Sequence, residues 1–218
     1  MTRESTLSRI LDGGIVAVVR SNSPDQLVGV VRALAEGGVT AAEITFTVPN
    51  ALDVIRKVRD ELGDSIVLGA GSVLDPETAR AALLAGAEYI VGPGLNLDVI
   101  RLCKRYGKVV MPGALTPTEV ITAWEAGADV VKIFPSDLGG PAYIKALRAP
   151  LPQIRMMPTG GVDLTTAEAF LNAGACCLGI GGSLVDAKAV ASGDHARLRE
   201  LASQFAQIVR DHRAKTSA

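Results

Sequence analysis

A lysine and a glutamate each lie inside a segment that otherwise has the composition of a buried strand. The segment VVKIFP carries Lys132, and the segment AAEITFTVP carries Glu43. Side chains in a strand alternate between its two faces, so Lys132 lies opposite the aliphatic Val131 and Ile133. Burial disfavours an ammonium ion, lowers the pKa of a lysine and leaves a neutral amine that can attack a ketone. We therefore expect Lys132 to act as a Schiff-base nucleophile.

Glu43 is predicted to share one strand face with Thr45 and Thr47, while the opposite face is apolar. A carboxylate beside a reactive lysine suits the proton transfers of carbinolamine formation, dehydration and carbon–carbon cleavage. Two structural alternatives stay open. Glu43 and Lys132 could form a purely structural ion pair, or the lysine side chain could extend outwards to solvent.

Two glycine-rich turns, 159–161 and 179–183, follow the last two predicted strands. Backbone N–H groups in such turns can converge on an anion, and barrels often hold phosphate at this place. The alternative is that the glycines only permit tight turns. Arg20 ends the first predicted strand and suits a substrate carboxylate or phosphate, unless it is an ordinary solvated arginine.

The elements that must position these side chains follow a recurring pattern, in which a helical segment ends in glycine and a short aliphatic strand follows. Glycine suits such a helix end because it adopts the left-handed conformation without steric strain. The pattern includes Gly63, Gly86, Gly107, Gly127 and Gly174. The predicted strands span 15–20, 41–46, 66–70, 88–92, 108–111, 129–134, 154–158 and 177–181.

Eight strands that are apolar on both faces and alternate with helices predict a closed (β/α)8 TIM barrel, with its chemistry at the C-terminal strand ends. An open doubly wound sheet is the main competitor, but SNSPDQ replaces a glycine-rich phosphate loop after strand one. Ser23, Asp75 and Thr116 each precede a proline and are predicted helix caps. A short helix over 5–11 is expected to close the barrel bottom, and 194–213 to form the last helix.

Composition indicates one domain over residues 1–218 that acts on a small molecule. The chain is 48% hydrophobic, and its 22 basic and 23 acidic residues form no like-charged block that would suit nucleic acid or a membrane surface. The N-terminal segment lacks the layout of an export signal, so we expect a cytoplasmic protein. We expect Cys103, Cys176 and Cys177 to be reduced. His195 and His212 both lie in the last helix, so we expect no metal site and no cofactor.

The motifs EITFTVP, GAGSV, VGPG, MPGALTP, VKIFP, PTGGV and GIGGS occur in this order over nearly the whole chain and resemble the KDPG/KHG aldolases. The resemblance implies a class I enzyme that cleaves 2-dehydro-3-deoxy-6-phosphogluconate (KDPG) reversibly to pyruvate and glyceraldehyde 3-phosphate. It also implies action on 4-hydroxy-2-oxoglutarate (KHG), which yields glyoxylate. Homotrimers and the Entner–Doudoroff pathway are further implications.

By this resemblance, Lys132 is the Schiff-base lysine and Glu43 is the acid/base. Ser72 would hold the pyruvyl carboxylate, and Thr159 would border the aldehyde half. Pro93 and Phe134 would line the pocket, and the phosphate would lie against Gly160, Gly161, Gly181, Gly182 and Ser183.

Two positions depart from the family pattern. Ser72 replaces a frequent threonine, and Thr47 replaces an arginine found in the LRT form of its motif. We therefore assign Arg20 as the displaced cation that binds the pyruvyl carboxylate, with Thr47 also lining the substrate site.

Three other functions remain open from the sequence. One is an aldolase for the galactonate analogue, 2-dehydro-3-deoxy-6-phosphogalactonate. Another is a sugar-phosphate isomerase or epimerase on the same barrel, which would need no imine. The third is a catalytically silent barrel that binds an anion or serves as an assembly subunit.

Overall fold

A computed structural model describes residues 1–21 and 24–216, in which short parallel strands alternate with helices. The predicted cap Ser23 lies outside these residues. The described strands are β1 Ile15–Val19, β2 Ala41–Thr45, β3 Val67–Gly71, β4 Tyr89–Val91, β5 Val109–Met111, β6 Gly113–Ala114, β7 Val131–Ile133, β8 Met156–Pro158 and β9 Leu178–Ile180.

The helices lie between and after these strands. They are α1 Arg3–Gly13, α2 Leu27–Glu36, α3 Ala51–Leu62, α4 Pro76–Leu84, α5 Leu97–Arg105, α6 Pro117–Glu125, α7 Gly140–Arg148, α8 Ala167–Asn172, α9 Ala187–Ser192 and α10 His195–Thr216. Short 3-10 helices span Pro24–Gln26, Gly63–Ser65 and Ser136–Leu138. No helix within 1–21 and 24–216 is both long and apolar enough to cross a membrane.

The predicted helix ends are confirmed where the structure describes them. The side chain of Asp75 accepts a hydrogen bond from the Thr78 backbone at 2.6 Å. Thr116 and Glu119 form a capping box at the start of α6. The five glycines of the recurring pattern all have positive φ, between 52° and 111°, as a helix end of this kind requires.

The strands form a parallel sheet in two parts. Six strands follow the order β5-β4-β3-β2-β1-β9, and three follow the order β6-β7-β8. The prediction of a single closed sheet of eight strands is therefore not confirmed, because the described strands pair as one sheet of six and one of three. The fifth predicted strand ends at Met111, and β6 begins after Pro112, whose ring nitrogen has no hydrogen to donate to a ladder.

Backbone contacts also occur between the two parts of the sheet. The N–H of Asp129 donates to Val110 at 3.0 Å, and the N–H of Lys132 donates to Pro112 at 2.9 Å. On the other side, Thr159 and Gly179 form an isolated parallel bridge. The strands thus curl round an interior that their inward side chains fill.

Apolar side chains form two separate cores. One lies between the outer strand faces and the helices and contains Val131 and Ile133. The other lies inside the curled sheet and contains Ile10 of α1 together with strand residues such as Val16 and Met157. This arrangement confirms that the strands are buried on both faces and that an N-terminal helix covers one end of them.

A buried carboxylate ties α1 to that end of the strands. Asp129 is 2% exposed, accepts a hydrogen bond from the Val110 backbone at 2.9 Å and bonds the guanidinium of Arg3. The Lys104 ammonium lies 3.7 Å from the same carboxylate. Asp129 precedes β7, whereas Lys132 lies within it, so this ionic cluster is on the side opposite the C-terminal strand ends.

Candidate active site

Lys132 and Glu43 both point into the interior of the curled sheet. Lys132 lies on β7 and is 3% exposed, and Glu43 lies on β2 and is 1% exposed. The Lys132 ammonium nitrogen is 4.8 Å from the centroid of the Phe134 ring. The lysine therefore does not extend to solvent, and that alternative is wrong.

The charges of Lys132 and Glu43 are close enough to interact but are not paired. Among the described residues, neither carboxylate oxygen of Glu43 has a hydrogen-bond partner. A purely structural ion pair would bring these oxygens within hydrogen-bonding distance of the ammonium, so the structure contradicts that alternative. Two buried, unpaired groups of opposite charge are instead available to a bound molecule.

Burial lowers the pKa of Lys132 and raises the pKa of Glu43, so that it favours the uncharged form of each group. Desolvation lowers the pKa of Lys132, the charge of Glu43 opposes this change, and the charge of Arg20 adds to it. Desolvation raises the pKa of Glu43, and the charges of Lys132 and Arg20 oppose that rise. A lysine with a lowered pKa supplies the neutral amine that attack on a ketone requires, and a carboxyl with a raised pKa can take up and release a proton.

Glycines on the neighbouring strands make space for the functional side chains. This role of the glycines was not predicted from the sequence. A Cβ at Gly71 of β3 would lie 2.6 Å from the carboxyl carbon of Glu43. A Cβ at Gly179 of β9 would overlap the Thr159 hydroxyl and lie 3.2 Å from its Cβ. Glycine inside a strand marks such close approaches, so this signal was present in the sequence.

A cavity of about 180 Å³ opens at the C-terminal ends of β1, β7, β8 and β9. Both predicted anion-binding turns line it, and so do Arg20, Phe134 and Thr159. In the part of the chain that the structure describes, the backbone N–H groups of 160, 161 and 181–183 donate to no backbone carbonyl. The cavity thus offers unpaired donors together with a guanidinium, as an anion requires. Its predicted members are Arg20, Phe134, Thr159, Gly160, Gly161, Gly181, Gly182 and Ser183.

Three predicted substrate-binding residues line a different cavity. Thr47, Ser72 and Pro93 surround a space of about 430 Å³ beside β2 and β3. Thr47 is exposed and follows the end of β2, so it does not share the interior face with Glu43 as predicted. Its hydroxyl lies 2.7 Å from that of Thr45, which is buried. Ser72 adopts a positive φ of 58° immediately after β3.

No group of three or more His, Cys, Asp or Glu side chains within residues 1–21 and 24–216 is arranged to hold a metal ion. The three cysteines are free. Cys103 and Cys177 are buried, and burial raises the pKa of the Cys103 thiol to about 12.

Comparison with known proteins shows the family of this chain. The family model described as "Aldolase: KDPG and KHG aldolase" matches residues 7–201. A 2-dehydro-3-deoxy-phosphogluconate aldolase of Treponema pallidum (strain Nichols) is 38% identical over 89% of this chain and 93% of its own. A 2-dehydro-3-deoxy-6-phosphogalactonate aldolase of Escherichia coli (strain K12) is 40% identical over 78% of this chain and 83% of its own.

The fold agrees as well. A solved structure described as native KDPGal superposes with a TM-score of 0.85 at 36% identity, and the match covers 91% of this chain and 95% of that one. The family model, the curated relatives and the superposition cover most of the chain. The chain therefore belongs to the KDPG and KHG aldolase family and is an aldehyde-lyase.

Proposed function

We propose that this protein is a class I aldolase that cleaves KDPG reversibly to pyruvate and glyceraldehyde 3-phosphate through a Schiff base on Lys132. The observation that carries this proposal is the placement of Lys132 and Glu43, both buried, unpaired and directed into one interior. KHG, which would yield glyoxylate, is a second substrate of the same reaction.

The reaction begins when the neutral amine of Lys132 attacks the C2 ketone and forms a carbinolamine. Loss of water gives an iminium, and Glu43 takes up and returns the protons. The C4 hydroxyl then gives its proton to the Glu43 carboxylate as the C3–C4 bond breaks, and the bonding electrons move to the iminium. The aldehyde leaves, C3 of the resulting enamine is protonated, and water releases pyruvate from Lys132.

The phosphate of the substrate is assigned to the cavity formed by the two glycine turns. Unpaired N–H groups of 160–161 and 181–183 would surround its oxygens, and Thr159 would border the aldehyde half. This arrangement follows from a closed (β/α)8 barrel, in which β5 and β6 are one strand interrupted at Pro112. The hydrogen bond that the Lys132 N–H donates to Pro112, and the bridge of Thr159 with Gly179, support this closure.

The pyruvyl carboxylate is assigned to Arg20, with Ser72 as a hydroxyl donor. The guanidinium of Arg20 lines the anion cavity and acts on the pKa values of both Lys132 and Glu43. A cation near both reacting groups suits a 2-oxo acid, whose carboxylate is adjacent to the carbon that Lys132 attacks. Thr47 and Pro93 line the neighbouring space beside Ser72 and complete the proposed substrate site.

The galactonate analogue is a third candidate substrate, because the E. coli relative named for it is 40% identical to this chain. The two sugars differ only in configuration at C4, where the bond breaks. Steady-state kcat/KM for the two sugar phosphates and for KHG would rank them.

We further propose a cytoplasmic homotrimer acting in the Entner–Doudoroff pathway. Leu84 is 67% exposed and lies on a surface with Leu102 and Arg80, whose guanidinium stacks on Tyr106 at 4.1 Å. Exposed apolar side chains of this kind are typical of subunit contacts. Multi-angle light scattering of the protein and of Leu84→Glu tests the trimer, since a charge at the contact should reduce the mass.

Borohydride trapping tests the Schiff base directly. The protein is treated with pyruvate and borohydride, and peptide mapping should find the reduced adduct on Lys132. Lys188→Met removes an exposed lysine and should leave trapping unchanged, whereas Lys132→Met should abolish it. An isomerase, or a silent barrel, would give no adduct. Absence of the adduct in an active preparation would therefore overturn the proposal.

A further inference from the structure

Tyr89 is a buried, titratable residue that the proposed mechanism does not use. It lies on β4, is 0% exposed and belongs to the core inside the curled sheet. The register of the sheet places it near the acid/base. Gly69 of β3 pairs with Glu43 on one side and with Tyr89 on the other, so the three residues form one row across three strands.

Two glycines on the inner face of β3 bring the phenol ring close to the Glu43 carboxylate. A Cβ at Gly69 would lie 2.6 Å from Cε1 of Tyr89, so the ring lies over this strand and extends from β4 towards β2. The carboxylate of Glu43 covers Gly71, which is two residues further along the same face. Ring and carboxylate are therefore neighbours along β3.

The polar atoms of both side chains lack partners. Among the described residues, the Tyr89 hydroxyl and both carboxylate oxygens of Glu43 are buried without a hydrogen bond. Buried polar atoms in proteins are almost always bonded to protein or to an ordered water. The interior core to which Tyr89 belongs contains the apolar side chains of Ile10, Met111 and Met157 and the thiol of Cys177, which is only a weak donor and acceptor. A phenol donor and a carboxylate acceptor are complementary to each other.

We propose that Tyr89 is a positioning residue for Glu43, whose carboxylate it holds through one ordered water. The phenol donates to the water, and the water donates to the carboxylate, which favours the ionised form and fixes its orientation. This inference rests on the acid/base role proposed for Glu43. Charged neighbours act on the same carboxylate, namely Lys132 of β7 and Arg20 after β1.

The protonation state of Tyr89 suits a donor. Burial raises the pKa of its phenol well above the usual value, and the charges of Glu43 and Cys177 raise it further. The phenol therefore keeps its proton throughout the pH range in which an aldolase would act. Phenylalanine would fill the same space but could not donate.

The test is Tyr89→Phe, with Tyr106→Phe as the matched control because Tyr106 is 43% exposed. The pKa of Glu43 is measured by NMR of carboxyl-labelled protein without substrate, and its resonance is identified by its loss in Glu43→Gln. In Tyr89→Phe this pKa should rise by about one unit, because a hydrogen bond to the ionised form is lost. The kcat should fall about tenfold at unchanged KM, and the acidic limb of kcat/KM should move to higher pH.

An unchanged Glu43 pKa in a folded Tyr89→Phe variant would overturn the inference, and so would an equal shift in Tyr106→Phe. A high-resolution crystal structure of the unmodified protein gives a second measurement, which does not depend on the stability of the variant. Water between the hydroxyl and the carboxylate supports the proposal, and its absence opposes it. Because the pKa is read without substrate, this outcome is independent of whether pyruvate is trapped on Lys132.

Discussion

The carboxyl group of Glu43 occupies the space that a side chain at Gly71 would need, with its carbon 2.6 Å from the ideal Cβ position. Gly71→Ala should therefore push Glu43 away from the substrate. We expect kcat to fall by about a hundredfold, the order of loss when a general acid/base is displaced. Steady-state kinetics measures this loss. Gly94→Ala is the control, since a Cβ there meets no atom within 4 Å, and equal losses in both variants would contradict the argument.

Lys132→Met should remove activity without unfolding the protein. Methionine has a similar length and no charge to desolvate, so the free energy of unfolding should change by less than about 1.5 kcal/mol. We expect kcat to fall by at least about four orders of magnitude, because no other amine replaces the nucleophile. Urea unfolding and kinetics measure the two effects. Turnover near the wild-type rate would exclude Lys132 as the nucleophile.

Arg20→Ala tests the proposed anchor of the pyruvyl carboxylate. Loss of a charge-assisted hydrogen bond should raise KM for pyruvate in the condensation direction by about tenfold or more. Arg101→Ala removes a guanidinium that pairs with Asp98 on the helix surface, and its KM should stay at the wild-type value. If Arg20→Ala also leaves KM unchanged, the carboxylate binds elsewhere, and Ser72 is the next residue to replace.

Glu43→Gln should change stability in a pH-dependent way. Burial raises the pKa of Glu43 above its ordinary value of 4.5, so between these two pKa values the folded state binds more protons than the unfolded state. The stability that this group contributes therefore falls as pH rises through that window. The introduced glutamine side chain does not titrate, so the variant does not lose this stability. Its free energy of unfolding, relative to that of the wild type, should therefore increase with pH between the two pKa values. Urea unfolding at a series of pH values measures the difference, and a difference that is constant with pH would refute the raised pKa.

Asp129→Asn should destabilise the fold while leaving the chemistry intact. Its carboxylate is buried and bonds Arg3 of α1, whose side chain is partly exposed, so neutralising it weakens a charge-assisted hydrogen bond and should cost about 2 kcal/mol. Asp98→Asn disrupts an exposed pair and should cost less than about 0.5 kcal/mol. Thermal unfolding and kcat of the folded fraction measure both. A large loss of kcat in Asp129→Asn would contradict the view that the ionic cluster at one end of the strands is independent of the active site at the other end.

The positions of the strands and the two central residues could be predicted because local patterns specify them. Alternation within VVKIFP and AAEITF correctly put Lys132 and Glu43 inside. Glycine followed by an aliphatic run located six of the described strands within a few residues, namely β2, β3, β4, β5, β7 and β9. The break at Pro112 and the strand after it could not be predicted, because the aliphatic run ends at Met111 and β6 consists of Gly113 and Ala114, which are not typical strand residues.

The grouping of the site residues could not be predicted, because it depends on where each strand ends. Thr47 was expected beside Glu43, but β2 stops at Thr45 and the chain turns outwards. Tyr89 was overlooked because a tyrosine in a strand is normally a core residue, and only the pairing through Gly69 shows its relation to Glu43. Such relations depend on strands distant in sequence.

The ionic cluster around Asp129 and the glycine turns at 160–161 and 181–183 lie at opposite ends of the strands. The residues that anchor α1 are thereby separate from the residues that we propose bind the phosphate. A library confined to 181–183 would leave the anchoring of α1 untouched, and an added Cβ at Gly181 or Gly182 meets no atom within 4 Å, so most of its members should express as folded protein.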